Sequence, residues 1–184
     1  MLYDRPLTGE QRRISQLNYN RFSAVNGASY MCLGETVIIL FAVKLSAPNF
    51  IVAVIGAMMF LGFLLLPLGK IATAHFGAAR SQAVFWVARN LSALLVLPLS
   101  RELAWGTLLL GSFLFYGFRA AGVVMSQPLI GDISSDTDRA RLIAKSTGLF
   151  YGSGLAAMIT ISLVLSRYDN LWVLVGIIVA GACC

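Results

Sequence analysis

Charged residues are scarce in this chain of 184 residues, at 12% of the total, and histidine occurs once, as His75. A soluble domain of ordinary composition carries roughly a quarter charged residues. So few charges cannot cover the water-facing surface of a globule of this size. The three cysteines, Cys32, Cys183 and Cys184, have neither the spacing of metal ligands nor that of a disulfide framework. These shortages exclude a soluble globule, a zinc fold and a disulfide scaffold.

Sequence motifs of enzymes are lacking as well. No phosphate-binding loop, nucleophile elbow or zinc-helix motif occurs. We therefore predict that the chain is not an enzyme, binds no metal and needs no cofactor. The net charge is +6, but the basic residues stand at the ends of apolar runs and not in one patch. This distribution argues against a nucleic-acid partner.

Long apolar runs are what the sequence does contain, with 58% hydrophobic residues and a mean hydropathy of +0.80. About 20 apolar residues cover the hydrocarbon core of a bilayer, and backbone in lipid must be hydrogen-bonded within the segment. The predicted spans are residues 22–43, 50–68, 82–99, 103–127, 147–165 and 171 onward. The sequence therefore predicts an all-α integral membrane protein with about six transmembrane helices and the lipid bilayer as its first partner.

The lysines and arginines favour one side of the membrane. Segments on the side of the N-terminus hold nine of them, and the opposite loops hold three. Cytoplasmic loops carry this excess, so we predict a multi-pass protein of the cell (plasma or inner) membrane with a cytoplasmic tail at residues 1–21. Thr8 and Gln11 in this tail fit a capping box. Two alternatives stay open for the tail: a short helix along the inner face, or disorder.

The last apolar run is short for a membrane span. Leu171 to Cys184 gives 14 residues, or about 21 Å of helix at 1.5 Å per residue, against a core of ~30 Å. We therefore expect residues 22–184 to be one helical bundle that breaks off in its last helix. The missing partner would then be the C-terminal half of the same protein.

Three ionisable side chains lie inside the predicted spans: Glu35, Arg89 and Arg119. A charge at the bilayer centre costs roughly 2.5–3.5 kcal/mol, so each should face protein or water. Arg119 belongs to a polar and small-residue stripe along the fourth helix. The stripe consists of Ser112, Tyr116, Arg119, Gly122 or Val123, and Ser126. Two interpretations remain: Arg119 lines a cavity and meets an anionic group or an acid, or it joins helices structurally.

The first span offers two alternative polar faces. Tyr30 and Glu35 are five residues apart, about 140° around a helix. Either Asn26 and Tyr30 line a cavity, or Glu35 does. An acid in lipid is pushed toward its neutral form, which would suit proton coupling. The other interpretation places Glu35 near the outer end of its span, partly hydrated or paired.

Two further features predict packing more than ligand binding. Arg89 lies about eight residues into the third span, where its long side chain could snorkel to the interface or bond to a neighbouring helix. Gly148 and Gly152 in the fifth span form a small-xxx-small pattern, which permits close approach of another helix.

Two connectors resemble those of the major facilitator superfamily of transporters. Residues 69–80, with Gly69, Gly77 and Arg80, are similar to that family's glycine-bracketed basic loop between helices two and three. The second likeness is to the family's fourth-helix Arg-x-x-Gly pattern and the charged loop that follows it. The residues that carry it are Arg119, Gly122, Pro128, Asp132, Asp138, Arg139 and Arg141.

The resemblance implies a major-facilitator-like N-terminal bundle of two inverted three-helix repeats. It implies a secondary transporter that moves a small solute by alternating access, with a proton or sodium ion as candidate coupling ion. Arg119 then corresponds to the family's fourth-helix arginine, which is linked with proton coupling or conformational switching. The candidate cavity or coupling residues are Arg119, Glu35, Asn26, Tyr30, Tyr116 and Ser126. The expected cytoplasmic gating loops contain Gly69, Gly77, Arg80, Asp132, Arg139 and Arg141.

A second class of function also fits the sequence. A small membrane protein complete at 184 residues could act as an oligomeric scaffold or a channel subunit. The solute of a transporter is left open by the sequence, with sugars, drugs, organic anions and peptides as alternatives.

Overall fold

In the computed structural model, which describes residues 7–97 and 104–184, the chain is helical and these residues contain no β-strand. The prediction of an all-helical chain is confirmed for them. The α-helices are α1 (Gly9–Cys32), α2 (Glu35–Lys44), α3 (Asn49–Leu61), α4 (Leu66–Phe76), α5 (Ala78–Leu94), α6 (Ala104–Val124), α7 (Ser126–Ile133), α8 (Arg139–Arg167) and α9 (Leu171–Cys183). A 3-10 turn, Gly62–Leu65, joins α3 to α4.

Four helical stretches among these residues are long and apolar enough to cross a bilayer. They are Gly9–Lys44, Asn49–Phe76, Ala104–Ile133 and Arg139–Arg167. They correspond to the first, second, fourth and fifth predicted spans, and they make the chain compatible with a helical membrane protein. The third predicted span corresponds to α5, with 17 residues, and the sixth to α9, with 13 residues. Residues 98–99 and 103 of the predicted spans lie outside the described residues.

The N-terminal tail is helical from Gly9 onward, and its helix enters the first predicted span without interruption. The capping box is confirmed: the Thr8 hydroxyl accepts from the Gln11 amide at 3.3 Å, and the Gln11 side chain accepts from the Thr8 amide at 3.0 Å. These bonds satisfy amide groups that have no partner in the first helical turn. The tail helix is therefore part of α1, not a separate surface helix.

The first predicted span is broken, contrary to the expectation of one helix over residues 22–43. α1 ends at Cys32 with Leu33 as its C-cap, and Gly34, which has extended backbone (φ −67°, ψ 167°), is the N-cap of α2. Glu35 then occupies the first turn of α2, where the helix dipole favours a negative charge. A Cβ on Gly34 would lie 3.1 Å from the carbonyl oxygen of Tyr30, so the break leaves little space for a side chain.

The connector predicted at residues 69–81 is also mostly helical. α4 continues to Phe76, and the break is confined to Gly77, whose φ of 80° is open chiefly to glycine. Gly69 lies inside α4 at a helix crossing, because a Cβ there would come within 2.5 Å of the carbonyl oxygen of Ala121. Polar residues in this segment belong to the exposed end of a helix, which a hydropathy profile cannot distinguish from a loop.

The main apolar core lies between α2, α3, α5, α6 and α9. Phe41, Ile55 and Leu108 at its centre are 0% exposed. α8 contacts this core through Ile161 and Leu165, but its chief neighbour is α1, and only 6% of its most apolar stretch is buried. Most of α8 therefore presents apolar side chains outward, as a lipid-facing helix would.

Glycines set the distance between α1 and α8, but they are not the predicted pair. A Cβ on Gly27 would lie 2.1 Å from the carbonyl oxygen of Phe150. Beside it, the Ser153 hydroxyl donates to the carbonyl oxygen of Ala24 at 2.6 Å. Gly148 and Gly152 are exposed, with no described atom within 4 Å of a Cβ built on either. The predicted close approach at these two glycines was wrong, since both lie on the outward face of α8.

Candidate functional site

A cavity of about 250 Å³ lies between α1, α5, α6 and α8, at the beginning of α7. We call it the arginine cavity. The residues that line it are Tyr19, Phe22, Ser23, Asn26, Tyr30, Trp86, Arg89, Arg119, Val123, Ser126, Ser146, Thr147, Phe150 and Tyr151. The structure thus brings together four of the six candidate residues, although they come from three separate helices. These four are Asn26, Tyr30, Arg119 and Ser126.

Arg119 lines this cavity with its guanidinium group over an aromatic ring. Its Cζ lies 4.4 Å from the ring centroid of Tyr30. Within residues 7–97 and 104–184 it has no ion-pair partner and donates no hydrogen bond. A guanidinium carries five N–H donors and stays charged at neutral pH. The N–H donors of Arg119 are therefore available to a group that enters the cavity.

Arg89, by contrast, is 2% exposed and its donors are engaged. Nη1 donates to the Asn26 side-chain oxygen at 2.7 Å, and Nη2 donates to the Ser29 hydroxyl at 3.1 Å. Nε and Nη2 donate to the Asn90 side-chain oxygen at 3.0 and 2.8 Å. The sequence left two interpretations of Arg89 open, snorkelling to the interface or bonding to a neighbouring helix. In the structure Arg89 of α5 bonds to α1. Sequence reasoning missed that the same side chain also lines the cavity.

The two arginines flank a pair of stacked rings. Tyr30 and Phe115 are nearly parallel, at 9° and 6.5 Å between centroids. Arg119 covers the Tyr30 ring, and the Arg89 Cζ lies 5.6 Å from the Phe115 centroid. No Asp or Glu is among the described residues that line the cavity. The two guanidinium groups thus contact aromatic faces, which attract cations weakly, and no acid among the described residues of the cavity wall neutralises them.

Ser126 and Asn26 have structural contacts as well as a place in the cavity wall. The Ser126 hydroxyl accepts from the Gln82 side-chain amide at 2.9 Å, which links α7 to α5. Asn26 is fixed by its bond from Arg89. Both side chains are therefore held in place before any ligand arrives.

The stripe predicted on the fourth helix divides between two environments. Tyr116 is 2% exposed and belongs to the main core, with its ring edge-on to Phe115 at 5.1 Å. Its hydroxyl is buried without a hydrogen-bond partner among the described residues. Ser112 is fully buried and donates to the carbonyl oxygen of Leu108 at 2.7 Å. Tyr116 therefore does not line the cavity, because the half of α6 that carries it packs against the core.

Glu35 lines a second cavity, of about 620 Å³, which we call the glutamate cavity. Its wall comes from the end of α1, from α2 and from the second half of α8, and Tyr30 lines both cavities. The sequence left open which face of the first span is used. In the structure each face lines its own cavity. Asn26 and Tyr30 line the arginine cavity, and Tyr30 and Glu35 line the glutamate cavity. No hydrogen bond or ion pair of Glu35 occurs among the described residues.

The expected gating residues lie outside both cavities. Gly77 forms the break between α4 and α5, and Arg80 is exposed in the first turn of α5. Asp132 lies in α7 and is half-buried. Arg139 and Arg141 are exposed at the start of α8, where Arg139 pairs with Asp136 at 3.1 Å. Across the described ranges no ion pair joins Arg80, Asp132 or Arg141 to another residue.

Comparisons with protein-family models, with curated proteins and with solved structures found no match to this chain. The resemblance to the major facilitator superfamily therefore stays a prediction.

Proposed function

We propose that the chain is a secondary transporter that moves a small solute by alternating access, in a major-facilitator-like bundle. The observation that carries the proposal is the pair of cavities that share Tyr30. Alternating access requires a binding site near the membrane midplane that opens to one side at a time. In this proposal the side chain of Tyr30, which lines both cavities, separates the two openings.

The helix break beside Tyr30 supports the same function. α1 ends at Cys32, and α2 begins at Glu35. Gly34 and Glu35 line the glutamate cavity, and Tyr30, which lies just before the break, lines both cavities. Non-helical backbone at membrane depth is tolerated where it is buried in protein or lines a water-filled cavity. Discontinuous helices of this kind build the solute sites of many secondary transporters. We propose that the Leu33–Gly34 break lets the two halves of the first span move separately.

Uptake by the full chain in proteoliposomes tests the proposal. Labelled sugars, amino acids, organic anions and short peptides are offered as a panel, since the bundle alone does not define the solute. We expect saturable uptake of at least one class, because a transporter binds its solute on every cycle. Flux that rises linearly with concentration, or ionic conductance without saturation, would instead favour the channel-subunit alternative. Absence of any flux from a folded, inserted chain would favour the scaffold.

Arg119→Ala provides the matched variant. We expect it to lower uptake at least tenfold while membrane insertion stays normal, because the substitution removes the free guanidinium from the cavity wall. Arg13→Ala is the control, since Arg13 is exposed and lies outside both cavities. Equal uptake by the Arg119→Ala chain and the wild type would show that the arginine cavity is not on the solute path.

A further inference from the structure

We propose that the arginine cavity binds a small aromatic anion, either a carboxylate or a phosphate ester. The anionic group would bind Arg119, and the aromatic body would pack on the ring-lined wall. That this anion is the transported solute rests on the function proposed above. The binding of the anion in the cavity is independent of that function.

Charge is the first argument. Two arginines line a half-enclosed cavity of about 250 Å³, and the described residues around them include no acid. Two like charges in a low-dielectric region repel each other, and each also loses hydration. Cation–π contacts return only part of this cost, about 0.5–2 kcal/mol each. A bound anion would offset part of this positive charge, so the site favours anions over neutral and cationic molecules.

The division of hydrogen bonds identifies which arginine meets the ligand. Arg89 donates hydrogen bonds to Asn26, Ser29 and Asn90. Arg119 donates no hydrogen bond to any described residue, and its Cζ lies 4.4 Å from the Tyr30 ring centroid. An arginine fork matches the two oxygens of a carboxylate or phosphate. Arg119 is therefore the residue that contacts the anion, and Arg89 adds positive potential to the same cavity.

The wall chemistry argues for an aromatic body. Six of the lining side chains are aromatic: Tyr19, Phe22, Tyr30, Trp86, Phe150 and Tyr151. They come from α1, α5 and α8, so they surround the cavity and do not form a single stack. Aromatic pairs in offset or edge-on arrangements contribute about 0.5–1.5 kcal/mol beyond burial of area. A bare inorganic anion would leave this surface unused.

Equilibrium binding to the purified full chain in lipid nanodiscs tests the proposal. The probes are benzoate and phenyl phosphate, each compared with partners of similar shape: benzamide and benzyl alcohol are neutral, and benzylamine is cationic. Acetate and inorganic phosphate test whether the ring is needed. We expect at least one aromatic anion to bind tenfold or more tightly than every neutral or cationic partner, and tenfold or more tightly than the ring-free anions.

Variants then locate the site. Arg119→Gln should reduce the preference for the aromatic anion at least tenfold, and Arg119→Lys, which keeps the charge, should restore part of it. Arg167→Gln is the control, because Arg167 is exposed at the end of α8 and outside the cavity. A preference that persists in Arg119→Gln would place the anion elsewhere and overturn the assignment.

Two results on the wild-type chain alone would overturn the proposal without any variant. One is equal binding of benzoate and benzamide, and of phenyl phosphate and benzyl alcohol. The other is equal or tighter binding of acetate or phosphate. Uptake of the same probes separates the two proposals: binding without uptake would defeat the transporter function and leave the anion site standing. Saturable uptake of a neutral solute, with no anion preference, would do the opposite.

Discussion

Arg89 and Arg119 line one cavity, yet their surroundings give them different tasks. Arg89 is buried and binds three side chains from two helices, whereas Arg119 contacts the face of one ring. A side chain with its donors engaged holds structure, and one with unused donors can meet a ligand. Substitutions of the two arginines should therefore have different effects.

Arg89→Met should lower stability, although it removes a buried charge. Two of the bonds that Arg89 makes cross to α1, at Asn26 and Ser29. Interhelical hydrogen bonds in membrane proteins average about 0.6 kcal/mol each, and the contact with Trp86 at 4.3 Å adds up to about 2 kcal/mol when desolvated. We expect a loss of roughly 1–3 kcal/mol, measured by reversible unfolding in mixed micelles. A variant as stable as the wild type would mean that burying the cation costs as much as its contacts return.

Glu35→Gln should abolish the response of uptake to a proton gradient. Glu35 lines the glutamate cavity, next to the helix break, and has no ion-pair partner among the described residues. A carboxyl group in that position can exchange a proton during the cycle, and an amide cannot. The measurement is uptake with and without an imposed gradient, with Glu10→Gln as the control at an exposed acid outside both cavities. An unchanged gradient response in Glu35→Gln would remove Glu35 from the coupling step.

Helical periodicity brought Asn26, Tyr30 and Arg119 into consideration, because polar residues inside apolar spans must face something other than lipid. It could not separate Tyr116 from Arg119, since both lie on one stripe and differ only in depth along α6. The cavity role of Arg89 was missed for a similar reason: distance from the interface suggested snorkelling. The amides of Asn26 and Asn90, also within predicted spans, were the available signal for a buried arginine that needs acceptors.

At the scale of elements, α8 depends on α1 for nearly all of its contact with the protein. Gly27 permits this contact, because a Cβ there would lie 2.1 Å from the Phe150 carbonyl oxygen and 2.5 Å from the Ser153 hydroxyl. A backbone carbonyl in the middle of a helix cannot move aside cheaply, so any side chain must push the two helices apart.

Gly27→Ala should therefore destabilise the bundle by roughly 1–3 kcal/mol, the usual cost of overpacking. It should also disturb the arginine cavity, whose wall includes residues of both α1 and α8. Gly148→Ala is the matched control on α8, where no described atom lies within 4 Å of the new Cβ, and a change within about 0.5 kcal/mol is expected. Unfolding of the three proteins in the same micelles compares them. Similar losses for both variants would show that helix propensity, and not the crossing, decides the result.

The sequence signal for close packing was correct in kind and wrong in position. Gly148-xxx-Gly152 has the spacing that permits helix contact, but the face it occupies on α8 is turned outward. Gly27 has no glycine four residues away; it pairs only with Ser23 in a weaker small-xxx-small pattern, and its role depends on which helix lies opposite. That choice is a tertiary property. The break at Leu33–Gly34 escaped detection likewise, because apolar residues continue on both sides of it.

At the scale of the whole molecule, contacts at the connectors show which ends meet. The Lys44 ammonium at the end of α2 pairs with Asp169, between α8 and α9. At the other end, the Gln16 side chain in α1 donates to the carbonyl oxygen of Ile133, the last residue of α7, at 3.0 Å. Hydropathy predicted the four long apolar stretches because lipid selects for them. It also predicted a span at residues 82–99, but the helix found there, α5, has only 17 residues and includes Arg80 and Arg89.

Cysteine labelling tests the predicted orientation and the crossing by α5 together. Asn49→Cys and Thr137→Cys are made separately in a chain whose three native cysteines are replaced by serine. Both positions are exposed, at the start of α3 and between α7 and α8. With a cytoplasmic N-terminus and a crossing α5, three crossings separate them. An impermeant maleimide should then label Asn49→Cys on intact cells, and Thr137→Cys only after permeabilisation.

The other outcomes differ in what they contradict. The reverse pattern would keep all three crossings and invert the orientation, so the excess of lysine and arginine would face outward against the usual bias. Labelling of both positions from the same side would leave an even number of crossings between them. Because Asn49–Phe76 and Ala104–Ile133 are long and apolar enough to span, α5 would then be the helix that does not cross. Trp86 and Arg89, which α5 contributes to the arginine cavity, would then lie on a helix that does not cross, and that result would contradict alternating access through this cavity.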